Sequence, residues 1–360
     1  MHNSKNSVLQ GISNWFLCNF SDPEALALFF TLVFGFLLIE FFGKFLFPVV
    51  ISIVLAYLFA SPVQWFEQWR FPHWLSVTVV YLFFLGLFVL ALFGLLPLMW
   101  KQLVSMVHEF PRAINKGQIW MTELIHHYPK LFSVDLLANF ALYLHQQSAR
   151  IGQFILSFSL ASIPGIIEIV LYFILVPLLV FFFLKDGKNI ILWLSRFLPE
   201  RRGLIRIVWY EMNQKIGAYV QGRVIEIIIV SSISVITFAL LGLQYAFLLG
   251  VLLGLSVIVP YIGAIIVTIP IAIVGLMQWG LSVHFAYLMI FYTVIIALDG
   301  NLLVPLLFSG AMDLHPIAII LSVLIFGGIW GFWGVFFAIP LATLVKAVLN
   351  AWPKTKKLTI

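Results

Sequence analysis

Asp299 stands between two apolar stretches, Leu281–Leu298 and Asn301–Phe308, in the motif Asp299-Gly300-Asn301 with Pro305 just beyond. A carboxylate at membrane depth costs about 2.5–3.5 kcal/mol and is retained where it meets a partner, a cavity or a pathway. The glycine and proline around it predict an unwound helix end, where the carboxylate and freed carbonyls hold a cation or exchange a proton. The plainer reading is a turn at the membrane surface, because Asp-Gly-Asn is also turn chemistry. Arg223 lies three residues before Glu226 and four after Tyr219, so all three share a helical face. They form either a buried pair at the inner end of a pathway, or a structural pair near the boundary with Arg223 snorkelling to water.

Three further groups could do chemistry. Glu168 is the most deeply placed acid by position; it would serve proton coupling or a hydrogen bond between helices. His315, before Pro316, could titrate near neutral pH or simply start a helix. Pro260-Tyr261-Ile262-Gly263 interrupts an apolar run, with Tyr261 supplying a hydroxyl. It forms either the tip of a hairpin lining a binding site or a kink between two spans.

Other chemistries lack their residues. No HExxH zinc motif and no Walker phosphate loop occurs, and His126-His127 is adjacent and outside the apolar runs. Ser256 has no histidine evidently placed to activate it. The single cysteine, Cys18, excludes an internal disulfide and a cysteine metal cluster. No apolar run carries the row of charges of an ion-channel ring. We therefore expect no enzyme, no cofactor and no bound metal, while a passive channel, a membrane scaffold and, less favoured, an intramembrane enzyme stay open.

The elements that position these residues follow from hydropathy. With 63% hydrophobic residues, 9% charged and a mean hydropathy of +1.10, the chain does not match a soluble domain, where charged residues approach a quarter. The fold class is an all-α polytopic membrane protein of about eight transmembrane segments, with the lipid bilayer as its main partner. Apolar runs occur at Ala25–Phe42, Phe45–Phe59, His73–Met99, Leu160–Leu184, Val220–Leu241, Gln244–Gly280, Leu281–Leu298 and Pro316–Ala351. Asp22 and Glu24, rather than a basic region, precede the first run, which predicts a retained span. Ser21-Asp22-Pro23-Glu24 is also a helix-start signal. Gln244–Gly280 and Pro316–Ala351 are nearly twice the ~20 residues that one crossing needs, so each crosses twice or re-enters as a hairpin. Entry from opposite faces would make them an inverted repeat, and Ile269-Pro270-Ile271-Ala272 is echoed by Ile339-Pro340-Leu341-Ala342. Paired, interrupted runs of this kind point to a transport site.

Charge sets the topology. Seven of the 20 basic residues lie in Lys185–Lys215, and three lysines crowd 353–360, so both regions should be cytoplasmic. Counting back places 101–159 outside and the N-terminus inside. The net charge of +6 then reflects cytoplasmic loops, not a nucleic-acid partner. In Arg201–Tyr219, the apolar residues Leu204, Ile205, Val208, Trp209, Met212 and Ile216 repeat at three and four, predicting a helix in the headgroup plane. The stretch 101–159 reads as an outer helical cap.

Ile258-Val259-Pro260-Tyr261-Ile262-Gly263-Ala264, Leu298-Asp299-Gly300-Asn301 with Pro305, Leu314-His315-Pro316 and the glycine-rich Gly327–Pro340 segment resemble the AI-2E family of membrane transporters. Phe20–Ala25, Leu184-Lys185-Asp186, Glu211–Gln214 and Gly331–Pro340 are closer to one branch of permeases in that family. The resemblance covers nearly the whole chain and is strongest after Leu160. It implies a multi-pass protein of the bacterial inner membrane with about eight spans and a helical insert after the third. Family members are linked to autoinducer-2 export and to sodium(lithium)/proton antiport, and a homo-oligomer, a pentamer, has been proposed. The expected partners are accordingly a small solute or Na+, Li+ and H+.

The expected organisation is a tail with three transmembrane helices in 1–100, an extracytoplasmic insert in 101–159 and a transmembrane helix in 160–184. A basic cytoplasmic amphipathic segment in 185–218, a transport core in 219–352 and a cytoplasmic tail in 353–360 complete it. The expected pathway residues are Asp299, Asn301, Pro305, Glu226, Arg223, Pro260, Tyr261 and Gly263, with Glu168 and His315 as candidates for proton coupling.

Overall fold

Helix α1 (Pro23–Gln68) starts as its sequence signals: Asp22 accepts a hydrogen bond from the Glu24 amide at 2.9 Å, with Pro23 in the first turn. The computed structural model describes residues 22–109, 163–199, 202–260, 262–308 and 314–352, without the side chains of Lys44 and of residues 163–169. The expectations for the two tails, for the insert beyond Glu109, for Tyr261 and for the Glu168 side chain lie outside the described residues.

Every regular element among the described residues is helical. After α1 come α2 (His73–Leu90), which continues through a π turn at Ala91–Leu95 as helix to Glu109, and α3 (Ile163–Leu194) with a 3-10 turn at Ser195–Phe197. Next are α4 (Gly203–Leu240), α5 (Ala246–Ser256), α6 (Ile262–Trp279) and α7 (Val283–Leu298). A π turn at Asp299–Leu303 leads into α8 (Val304–Phe308), followed by α9 (Pro316–Phe336) and α10 (Ala338–Ala351). Eight helical stretches among the described residues are long and apolar enough to cross a bilayer, while α5 and α10 are shorter. The all-α polytopic fold is thus as the hydropathy required.

The chain divides into two units, one of Met1–Tyr81, Leu175–Gly222 and Phe308–Ile360, the other of Leu82–Ile174 and Arg223–Leu307. In the first, α1 carries both of the first two apolar runs in one helix of 46 residues. A straight rod of that length would measure about 69 Å and hold Glu24 and Tyr57 about 50 Å apart. Yet Glu24 accepts from the Leu204 amide at 3.1 Å, and the Tyr57 hydroxyl donates to Asn213 Oδ1 at 2.5 Å. Leu204 and Asn213 are only about 14 Å apart along α4. Therefore α1 bends back on itself, and Gly43 and Pro48 supply the loosened backbone in that interval. Glu40, beside the bend, accepts from the Trp330 indole at 3.0 Å.

The amphipathic stripe of α4 does not lie on headgroups. Val208 and Met212 are buried with Leu28 of α1 and Ala347 of α10, and Leu204, Ile205 and Ile216 pack against the same cluster. Only Trp209 of the expected stripe faces away, 52% exposed. Periodicity identified an apolar face, but a stripe of this kind serves a protein neighbour as well as a lipid surface. No residue breaks the helix at 219, so residues 203–218 and the following span form a single element, α4.

Also in this unit, the chain reverses within α9 at Gly331, whose backbone (φ 59°, ψ −136°) is not helical. The arms before and after the reversal pack so closely that a Cβ on Gly334 would fall 1.7 Å from the Phe326 carbonyl oxygen. The Tyr219 hydroxyl donates to the Phe336 carbonyl at 3.1 Å.

The second unit has a core of Phe238, Leu249, Leu253, Ile271 and Leu288, all almost wholly buried. At the end of α4, Leu243 N bonds Phe238 O at 2.9 Å and Gly242 N bonds Ala239 O at 3.0 Å, a Schellman turn with glycine in the left-handed position. The Gln278 side chain closes the turn, donating to Gly242 O at 2.7 Å and accepting from Gln244 N at 2.8 Å. From there α5 runs back along α4. A Cβ on Gly254 would stand 1.8 Å from Ser231 Oγ and 2.8 Å from Ile227 O, so the two backbones nearly touch, as small residues allow in membranes.

Candidate functional site

At 11 residues, α5 is about 16 Å long, roughly half the hydrocarbon thickness. It ends at Val257, and turns through Ile258–Pro260 lead into α6. The arms close on one another where Gly263 leaves no room: a Cβ there would lie 1.7 Å from the Ser256 carbonyl oxygen. Pro260 and Gly263 thus shape the turn of a helical hairpin. The same 1.7 Å approach of a glycine to an opposing carbonyl occurs at Gly334 and Phe326 in the other long run.

Arg223 reaches this hairpin from α4. Its Nη1 donates to Glu226 Oε2 at 2.7 Å and to the Val257 carbonyl at 2.8 Å. The ion pair is almost wholly buried, with side-chain exposures of 4% and 1%. Arg223 therefore does not snorkel to water: the guanidinium turns into protein. A pair this dry gains strength from low dielectric but loses both hydration shells, so it holds only with further hydrogen bonds. The Val257 carbonyl provides one, and as a helix C-terminal group it carries partial negative charge suited to a cation.

Asp299 completes the group. Its carboxyl lies against that of Glu226, close enough for a hydrogen bond when one of them holds a proton, and both feel the Arg223 charge. Asp299 Oδ1 is buried and makes no hydrogen bond among the described residues. Among the described residues, two carboxyls thus face one guanidinium, an arrangement that favours a proton held between the carboxyls.

The expected helix break at Asp299 is corrected by the structure. Backbone bonding continues from α7 into α8 by widening into a π turn, in which the Val304 amide bonds the Asp299 carbonyl five residues back. Glycine and proline loosen this turn without opening it. A π bulge of this kind is often found at functional positions. Asn301 is exposed, and its amide donates to Ala297 O at 2.8 Å, so it serves the helix backbone; Pro305 is exposed as well. His315, in the other unit, is the N-cap of α9, its Nδ1 accepting from Ile317 N at 3.3 Å.

The structure thus brings together Arg223, Glu226 and Asp299, and ties Arg223 to Val257, three residues before Pro260. Sequence reasoning missed the Val257 carbonyl, because a main-chain acceptor leaves no mark in residue type. It also missed Glu24 as a long-range cap of α4, although Glu24 was visible as a helix-start acid.

Eight helical stretches long and apolar enough to cross a bilayer, among the described residues, define an all-helical multi-pass membrane protein. The chain belongs to the AI-2E family: the model of the AI-2E family transporter matches residues 28–354. It is 44% identical to "Putative permease PerM" of Escherichia coli (strain K12) over 346 residues, covering 96% of this chain and 98% of that protein. More distant similarity extends to "Putative transport protein YueF" of Bacillus subtilis (strain 168), 28% identical over 86% of this chain and 84% of the relative. "Putative transport protein YrrI" of the same organism is 26% identical over 84% of this chain and 85% of the relative.

Proposed function

We propose that this protein is a secondary transporter of the bacterial inner membrane that couples movement of a small solute or cation to an ion gradient. The single observation that carries this reading is the arrangement of Glu226 and Asp299 around Arg223, with Asp299 Oδ1 buried and without a hydrogen bond among the described residues. The cluster accepts one positive charge at a time, so a proton and a metal cation would compete for it. Because Arg223 also holds the Val257 carbonyl, a change of charge at Asp299 alters the group that anchors the hairpin turn. Coupling in this scheme is the link between that charge and hairpin position. The matching glycine contacts at Gly263 and Gly334 support reading the two long runs as re-entrant hairpins of one design.

The test is flux in proteoliposomes of purified protein with a trapped pH dye, under sodium or lithium gradients, comparing wild type with Asp299→Asn. Cation-driven proton movement in wild type that disappears in the variant supports the proposal. Equal flux in both proteins overturns the role of Asp299, and no movement in either overturns cation/proton exchange.

A further inference from the structure

Helix α3 runs beyond the charges that mark its membrane end. Lys185, Asp186 and Lys188 follow its long apolar stretch, yet helix continues to Leu194 and closes with the 3-10 turn Ser195–Phe197. Here Ile191, Leu192, Trp193 and Leu194 are 44%, 63%, 56% and 53% exposed, and Phe197 is 73% exposed. Four consecutive helical residues point around about 300° of the axis. Their joint exposure means that this helix end projects with little protein on any side among the described residues. Trp193 and Phe197 pack edge to face with ring centres 5.0 Å apart, making one aromatic ridge.

Basic groups surround the ridge in sequence. From Lys185 to Tyr210 the chain has six basic residues and two acids, Asp186 and Glu200. Arg202 donates from its guanidinium to the Ser195 carbonyl, which ties one base directly to the 3-10 turn. Lys188, Arg196 and Arg206 are exposed. Apolar and aromatic side chains projecting among bases fit the headgroup layer of a membrane, where rings sit at the interface and lysine or arginine meets lipid phosphate.

We infer that the end of α3, the Ser195–Phe197 turn and the start of α4 form an anchor that binds anionic phospholipid headgroups, with Trp193 and Phe197 inserted beside them. The amphipathic stripe of α4 is occupied by Leu28 and Ala347, so the lipid contact falls to this elbow. The anchor is independent of the Asp299 cluster. It fixes the cytoplasmic entry of α4, which is also held by Glu24.

Full-length protein in nanodiscs tests this, with phosphatidylcholine alone or mixed with phosphatidylglycerol. Melting temperature and the number of lipids retained in native mass spectrometry are the readouts. Wild type is expected to melt higher and retain phosphatidylglycerol selectively. Each neutralised base should weaken that retention about fivefold, since a basic residue near an anionic surface contributes about 1 kcal/mol. Lys188→Gln with Arg196→Gln should therefore melt alike in both lipids, and Trp193→Ala should lose retention while keeping its bases. Equal retention of the two lipids by wild type overturns the proposal. So does a Trp193→Ala variant that changes oligomer mass with lipid retention intact, because the ridge would then bind a second copy of the chain.

Discussion

The guanidinium of Arg223 and the carbonyl oxygen of Val257 lie 2.8 Å apart, so the first arm of the α5–α6 hairpin ends against a fixed positive charge. The same nitrogen holds Glu226 at 2.7 Å. Whatever changes the charge near Glu226 is therefore felt at the hairpin turn through one side chain.

Removing a single partner from that group should be far worse than removing the pair. Arg223→Met leaves two buried carboxyls facing each other and is expected to cost about 3–5 kcal/mol. Arg223→Met combined with Glu226→Met should recover much of that loss. Thermal unfolding of Arg223→Met, Glu226→Met and the double variant in detergent measures the coupling; additive losses would show that the two residues do not act as a pair.

Gly263 and Gly300 make opposite predictions for the same substitution. Alanine at 263 drives its Cβ into the Ser256 carbonyl, a backbone atom that cannot rotate away, and should lower stability by several kcal/mol. Alanine at 300 meets nothing within 4 Å and should be neutral or stabilising by up to about 1 kcal/mol. Comparable melting temperatures for the two variants would contradict the hairpin packing.

Glu24 joins two helix starts. It lies in the first turn of α1 and accepts from the Leu204 amide in the first turn of α4. Glu24→Ala should cost about 1 kcal/mol through the lost cap, and Glu24→Gln about half of that, because the amide oxygen still accepts. Hydrogen exchange at Leu204–Arg206 should quicken in the alanine variant, with the core of α6 unaffected.

The length of α5 bears on the path of the first long run. With Cys18 replaced by serine, a cysteine placed at Val259 should be inaccessible to a membrane-impermeant thiol reagent applied from the face opposite Gln244. Full reaction from that opposite face would mean that the run crosses the bilayer twice, and the re-entrant reading would fail.

Much of this was legible in the residues. Hydropathy alone gave the helical, multi-pass class, and the rarity of charge within apolar runs singled out Arg223, Glu226 and Asp299. Their meeting was not legible, since 73 residues separate Glu226 from Asp299. The π turn was misread for a physical reason. Glycine and proline mark a weakened helix, but only the neighbouring backbone decides whether it opens or takes up an extra residue. The apolar stripe of α4 carried no label saying protein or lipid, and Val257 acts through an atom that every residue possesses.

The π turn also has an effect beyond Asp299. Ahead of it, Leu288, Tyr292 and Ile295 are buried, and a regular helix would carry that stripe on through Asp299 to Leu306. Leu306 is instead 67% exposed, while Leu303, Val304 and Leu307 are half-buried. The extra residue has advanced the inward face by one position, a phase shift of about 100°. The shift carries through α8, so each residue beyond the turn faces one position later than a regular helix would place it.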